Sequence, residues 1–314
     1  LGKLPAIRIG HLRILDHLMI GLASDESSGA LLKQTPSLMS AVPMGSWQKL
    51  RQSFCDGDLH GAFLPLPEAM HLFDSGMDIK IILLDGRPGA PVVASSSAKV
   101  DTLSDLKGKT VLLSSYLSVH HLLLYRLMAS AGLRAGTEND PRSDVHIEIV
   151  PPFIVSEMVL HDDSGEIGGC FIEEPFGSLL IGKGLGRIIC PSFRLWPDHP
   201  GSVLVVHDYV IRDHRPYLVE IVNLLVASNS FGYRSSDALH RFSLERFFDQ
   251  DSQVVDQLLS TSLPERPRSL VPEIHYIEIV NQFMVKEMGI MENIVDIDAL
   301  VDRSFALEAG IEKN

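Results

Sequence analysis

GAFLPLPEAMHLFDSGMDIKIILL, residues 61–84, packs a strand, a proline-started helix and a second strand into one short unit. Proline is tolerated at a helix start because the first N–H groups there have no intrahelical partner to lose. The same order recurs along the chain: apolar runs of four to six residues alternate with longer helical patterns. That alternation is the pattern of a mostly parallel sheet with crossover helices, an α/β fold.

Toward the N-terminus, AIRIG (6–10) reads as a strand, and Asp16 reads as the cap of a helix through HLMIGLA (17–23). SLMSAV (37–42) is the next strand. SWQKLRQSFCDGD (46–58) then opens on Ser46 as N-cap and carries Trp47, Leu50 and Phe54 at helical spacing. Toward the C-terminus a second series follows PVVASSS (91–97): a short capped helix at 101–109, a strand at 110–115, a helix at 118–132, a strand at 145–150 and a helix at 152–162. GGCFIEEP (168–175) and GRIICPSF (186–193) complete it. Beyond HPGSVLVVHDYVI (199–211) the pattern is helical at 215–233, 236–249, 251–261 and 276–289, interrupted by the proline-rich PERPRSLVP (264–272). Periodicity fits either one long sheet or two lobes.

With 314 residues, 45% of them hydrophobic, the chain can bury one large core or two smaller ones. Its formal charge of -13 leaves no basic surface of the kind that phosphate backbones require, so nucleic acid is not an expected partner. No apolar run reaches the about 18 residues of a membrane-spanning helix; IVNLLVASNSFGY (221–233) is the nearest and is interrupted. Cys55, Cys170 and Cys190 form no CxxC pair and read as free, mostly buried thiols. Metalloprotease, nucleophile-elbow and P-loop motifs are absent, and GKGLGR (182–187) has the wrong spacing for a dinucleotide fingerprint. HDD (161–163) reads as a solvated turn rather than a metal site. Neither a catalytic residue nor a cofactor is expected.

Five stretches together carry a resemblance: SWQKLRQSFCDGDLHGAFLPLPEAM (46–70), SVHHLLLYRLMASAGL (118–133), VPPFIVSEM (150–158), FIEEPFGSLLIGKGLG (171–186) and LWPDHPGSVLVV (195–206). In order and spacing the chain resembles the periplasmic solute-binding proteins of nitrate and bicarbonate ABC transporters, within a group that also holds sulfonate and thiamine-precursor binders. The resemblance implies a two-lobed, periplasmic-binding-protein-like fold of type II, with lobe 1 at 1–93 and 206–314, lobe 2 at 94–205, and a ligand cleft that closes by a hinge. It further implies a monomer that delivers a small molecule to an ABC permease, in the periplasm or anchored outside the membrane. A chain starting at Leu1 without Met suits a trimmed chain or a mature protein, so the absence of a leader here says little about export. A ligand sensor of the same fold is the alternative. Enzymes of the thiamine-pyrimidine type share the fold but use a cysteine-rich motif that this sequence lacks.

Ligands of open α/β sheets bind at the carboxyl ends of strands, where helix N-termini offer free N–H groups. The candidates are therefore strand-to-helix turns: Ser46 and Trp47, Leu64 and Pro65, Ser95 to Ser97, Ser118 and His120, and Glu173 and Glu174. Trp47 fits a core stripe or a cleft wall on pattern alone; the resemblance implies the wall. Ser118 is a good N-cap. His120 lies on a stripe with Leu123, Leu124, Leu127 and Ala131, whereas His121 falls on a flank with Tyr125. A histidine on an apolar stripe is ordinarily a satisfied core residue, but His120 matches the family's ligand histidine in S-x-H. His121 is left as a supporting or surface residue.

Glu174-Pro175-Phe176 matches the family's E-P-W with Phe in place of Trp. Glu173 stands where nitrate binders place a lysine and bicarbonate binders a carboxylate. A carboxylate there repels bare nitrate and favours a cationic, neutral or metal-paired ligand. Arg87, in DGRPG (85–89), is the nearest cation to a strand end and reads as a surface turn residue.

Overall fold

Apolar strands of four to six residues do form the sheets, and the chain sorts them into two units. The computed structural model describes residues 6–24, 38–85, 89–137, 140–234, 244–250, 252–261 and 269–310. In chain order the strands are β1 (Ile7–His11), β2 (Met39–Pro43), β3 (Gly61–Pro65), β4 (Ile79–Leu84), β5 (Pro91–Ser95), β6 (Thr110–Leu113), β7 (Ala135–Gly136), β8 (Val145–Ile149), β9 (Ile167–Phe171), β10 (Gly186–Pro191) and β11 (Ser202–His207). The helices are α1 (Leu18–Ser24), α2 (Trp47–Cys55), α3 (Leu66–Asp74), α4 (Val119–Ser130), α5 (Val155–Leu160), α6 (Phe176–Gly182), α7 (Ser192–Leu195), α8 (Asp208–Arg234), α9 (Ser252–Thr261), α10 (Ile274–Lys286), α11 (Ile297–Leu300) and α12 (Ser304–Gly310).

The first unit comprises Leu1–Arg87, Pro200–Gln250 and Pro264–Asn314. Its sheet has the order β2-β1-β3-β11-β4. β1 runs parallel to β2 and β3, and β11 lies antiparallel between β3 and β4. Ile9, Ile20, Phe63, Leu204, Leu218, Leu225 and Phe305 fill the core that α1, α8 and α12 cover. Strands apolar at almost every position, such as β3 and β4, are what a sheet covered on both faces demands.

The second unit comprises Pro88–His199 and Asp251–Leu263. Its sheet has the order β10-β5-β9-β6-β8-β7. β6, β7, β8 and β9 are parallel, while β5 pairs antiparallel with both β9 and β10. Val93, Leu112, Val155, Cys170, Ile172 and Leu180 form its core.

Several expectations shift. The boundaries at 93/94 and 205/206 move, because β5 lies wholly in the second sheet and β11 wholly in the first. The tail is divided as well: α9 belongs to the second unit, and 251–263 separates from the rest of 206–314. Asp16 does not cap a helix. It is buried inside a short 3-10 turn (Leu15–His17) whose N-cap, Ile14, offers no side-chain acceptor. The run expected from 215 begins at Asp208 and kinks at His214, two residues before Pro216, where the ring removes a helix hydrogen bond. Ser95 to Ser97 end an antiparallel strand, so they lie at the opposite edge from the carboxyl ends of β6, β8 and β9. Arg87 and residues 236–243 lie outside the described residues.

Candidate functional site

In the second unit the carboxyl ends of β6 and β9 bring three polar side chains together in the interior. β6 ends at Leu113, and the next residue, Ser114, donates its hydroxyl to Glu173 Oε1 at 2.6 Å. Two residues after β9, Glu173 is 1% exposed. His120, from the first turn of α4, sets Nδ1 3.6 Å from the same Oε1, an ion-pair rather than a hydrogen-bond distance. Its ring lies 5.0 Å from Phe171 and edge-on to His199 at 5.9 Å. Among the described residues Nε2 of His120 is buried and has no hydrogen-bond partner.

The electrostatics follow from this packing. Burial pushes the Glu173 carboxyl up, but the His120 imidazole and then the Ser114 hydroxyl outweigh it and hold the carboxyl below its usual range. An ionised carboxylate in the interior is costly unless it is paired and hydrogen-bonded, and here it is both. Nδ1 of His120 faces that oxygen. With a proton on Nδ1, the buried Nε2 is a donor when the ring is cationic and an acceptor when it is neutral.

The neighbouring candidates hold backbone. Ser118 caps α4 by accepting from His121 N–H at 3.2 Å and donates its hydroxyl to Ser115 O at 2.9 Å. His121, read as a supporting or surface residue, is buried, and Nδ1 donates to Tyr116 O at 2.7 Å. Burial holds its pKa down. Glu174 follows β9 in a buried turn closed by a cis Glu174–Pro175 bond. Its carboxylate accepts from Ser178 N–H at 2.8 Å and from the Ser178 hydroxyl at 3.1 Å, which ties down the first turn of α6. The adjacent carboxylates thus separate as neighbouring residues on an extended chain do: one meets His120, the other a helix.

In the first unit the corresponding edge is formed by the ends of β1, β2, β3 and β4. Ser46 caps α2, accepting from Lys49 N–H at 3.2 Å. Trp47 is 7% exposed and lies edge-on to His17 at 5.4 Å. Leu64 and Pro65 close β3 against Val203 and Ser202, and both are buried. Asp85, just past β4, accepts from Ser202 N–H at 2.7 Å. A Cβ on Gly201 would collide with Asp85 Oδ2 and come 3.0 Å from Asp16 Oδ2, so the two buried carboxylates close on a position that only glycine fits.

Sequence reasoning missed Ser114, His199 and His17. Ser114 had a signal, being the first polar residue after a strand that leads to a candidate helix. His199 and His17 had none, since their place depends on packing against residues distant in sequence. Among the described residues no group of three or more metal-ligating side chains assembles, and HDD forms the expected turn: Asp162 Oδ2 accepts from Ile167 N–H at 2.8 Å. Cys55, Cys170 and Cys190 are free.

Two α/β units, each with helices rising from the carboxyl ends of parallel strands and each admitting antiparallel strands beside them, define the periplasmic-binding-protein-like fold. The chain belongs to the NMT1-like family, whose model matches residues 3–240. It is 23% identical over 299 residues to the nitrate import ATP-binding protein NrtC of Synechocystis, covering 89% of this chain and 42% of that protein. The chain therefore spans less than half the length of that curated relative. Its structure is similar to the ligand-binding component of an ABC-type import system from Staphylococcus aureus, solved with zinc bound (TM-score 0.80, 20% identity, 98% of this chain and 99% of that one). It is also similar to the alkanesulfonate-binding protein SsuA from Xanthomonas axonopodis bound to MOPS (TM-score 0.78, 17% identity, 97% and 100%).

Proposed function

We propose that the protein is a solute-binding component of an ABC importer: it captures a small molecule and hands it to a membrane permease. It works as a monomer, outside the cytoplasmic membrane, without catalysis. The observation that carries this reading is His120. Its Nε2 is buried and unpartnered among the described residues, at the strand edge where α/β folds bind ligands, while Nδ1 is held by an ionised Glu173. Such an atom is costly to bury unless a ligand meets it.

The ligand-contacting set in this reading is His120 and Glu173, positioned by Ser114, at the strand edge of the second unit; Trp47, Leu64 and Pro65 are the candidates at the strand edge of the first. Ser46, Ser118 and Glu174 hold the helix starts that present them. The Glu173 carboxylate disfavours a bare nitrate ion and favours a neutral or cationic molecule, or an anion that arrives with a proton or a metal. No helix among the described residues is long and apolar enough to cross a membrane.

A thermal-shift screen over nitrate, bicarbonate with and without Ca2+, sulfonates, pyrimidines and aromatic acids tests the proposal, since a ligand that binds only the folded state raises the melting temperature. A shift with bicarbonate, a sulfonate or a pyrimidine is expected. A shift with nitrate alone would remove the Glu173 argument.

A second reading, a sensing domain, is favoured by one observation. The curated relative is an ATP-binding protein of which this chain covers 42%, and the chain itself carries no P-loop. In that reading the bound solute regulates an ATPase rather than feeding a permease. Solute-dependent ATP hydrolysis in an ATPase carrying this chain would select it over delivery.

A further inference from the structure

In the first unit, His17 has a geometry that a core histidine does not need. The ring is fully buried, between Trp47 at 5.4 Å and Phe63 at 5.2 Å. Leu12 N–H donates to Nδ1 at 2.9 Å, with Leu12 O further off at 3.3 Å. An amide hydrogen pointed at Nδ1 requires a lone pair there, so the neutral ring carries its proton on the distal nitrogen, Nε2. Among the described residues Nε2 is buried and has no hydrogen-bond partner.

The chain also positions this ring with care. β1 ends at His11, and the 3-10 turn Leu15–His17 delivers His17 to the carboxyl-terminal edge of the parallel strands, beside Trp47 from the end of β2. Three constraints converge on one N–H: a backbone amide fixes the tautomer, two aromatic rings fix the plane, and the strand ends fix the place. A buried donor left without an acceptor costs on the order of 1–3 kcal/mol. Filling the same space with an apolar ring would avoid that cost.

We infer that His17 is a specificity-determining ligand contact whose Nε2–H donates a hydrogen bond to an acceptor oxygen or nitrogen of the bound small molecule. The inference rests on the solute-binding reading above and deepens it. Burial holds the His17 pKa well below the usual histidine range, so the ring is a neutral donor at Nε2 and never an acceptor there. It selects molecules with a hydrogen-bond acceptor, such as a carbonyl, carboxylate, sulfonyl or ring nitrogen, and rejects those that present only donors or apolar surface.

Two substitutions separate this role from packing. His17→Asn places an amide oxygen where Nδ1 accepts from Leu12 but has no atom at Nε2; His17→Gln reaches the Nε2 position with an N–H. Bicarbonate with and without Ca2+, nitrate, ethanesulfonate, benzoate and cytosine are titrated calorimetrically into wild type, both variants and His120→Ala. The probe that binds wild type is expected to bind His17→Asn about tenfold more weakly and His17→Gln within about threefold, the range one hydrogen bond sets. Unchanged affinity in His17→Asn alongside weakened binding in His120→Ala overturns the inference and leaves the solute-binding reading standing. If none of these probes binds wild type, the solute-binding reading falls and this assignment with it. Long-range nitrogen–proton NMR of wild type gives an arm that needs no variant. A neutral ring protonated at Nε2, whose resonance moves with the bound probe, is expected; protonation at Nδ1, or no movement, overturns the assignment.

Discussion

The two units end their parallel strands in opposite chemistry. At the edge of the first, a neutral imidazole is held by a backbone amide between Trp47 and Phe63. At the edge of the second, an imidazole and a hydroxyl converge on one oxygen of an ionised carboxylate. Both histidines are buried, and in both Nε2 is buried without a protein hydrogen bond among the described residues. Burial alone drives a titratable group to its neutral form, whereas burial beside a partner keeps the charge. The same residue type is thus a fixed donor in one unit and the neighbour of an ionised carboxylate in the other.

Acid should split that contrast most widely. Burial lowers His11 to about 4 and His17 well below the usual range, while an unfolded histidine takes its proton near about 6.5. Between those values the unfolded state binds more protons, so stability present above pH of about 6.5 is lost as pH falls, by about 3 kcal/mol for His11 alone. Glu173 acts lower: its carboxyl is held below the usual range, so its contribution persists above about 4.3 and is lost only as pH falls through the folded value. Urea unfolding at pH 7, 5.5 and 4.5 should show the histidine-driven loss, reduced in a His11→Asn/His17→Asn double variant and retained in Glu173→Gln. A urea midpoint that stays constant over this range would refute it.

Affinity should respond next. His120→Ala and Glu173→Gln are each expected to weaken the binding of whichever probe shifts the wild-type melting temperature, by about 1–3 kcal/mol. Calorimetry measures this directly, and wild-type affinity in both variants would take the second unit's cluster out of the site.

Gly201→Ala probes the first unit by sterics rather than charge. Its Cβ would meet the Asp85 and Asp16 carboxylates, and overpacking of this kind costs about 1–3 kcal/mol, read as a lower urea midpoint. An unchanged midpoint would show that the two carboxylates move apart freely. The smallest effect is expected from Glu174→Gln, which weakens the cap on Ser178 by about 1 kcal/mol. Probe affinity should stay within about twofold; a loss as large as that of Glu173→Gln would make Glu174 a ligand contact too.

Much of the fold was legible because it is written in local patterns. Trp47, Leu50 and Phe54 at helical spacing after Ser46 give α2, and Ser118 before the His120 stripe gives α4. Asp16 misled because aspartate before an apolar run is the ordinary sign of a cap, while here it is buried against the strand end at Gly201. Ser95 to Ser97 misled for a topological reason. A strand's own residues look the same in either direction, and β5 runs antiparallel to β9. Within the candidate site, His120 and Glu173 were legible as strand-to-helix polar residues, and Ser114 could have been. His17 could not, because what distinguishes it is the Leu12 amide that sets its tautomer.

By itself the sequence determined the α/β class, the helix caps, and which polar residues stand at strand ends, because each depends on side-chain periodicity or on contacts a few residues apart. Only the tertiary structure decided which strand ends share an edge, which of two adjacent glutamates meets a histidine, and which buried nitrogen is left without a partner. Strand direction, burial and hydrogen-bond completion are properties of groups brought together from distant parts of the chain, and no local pattern encodes them.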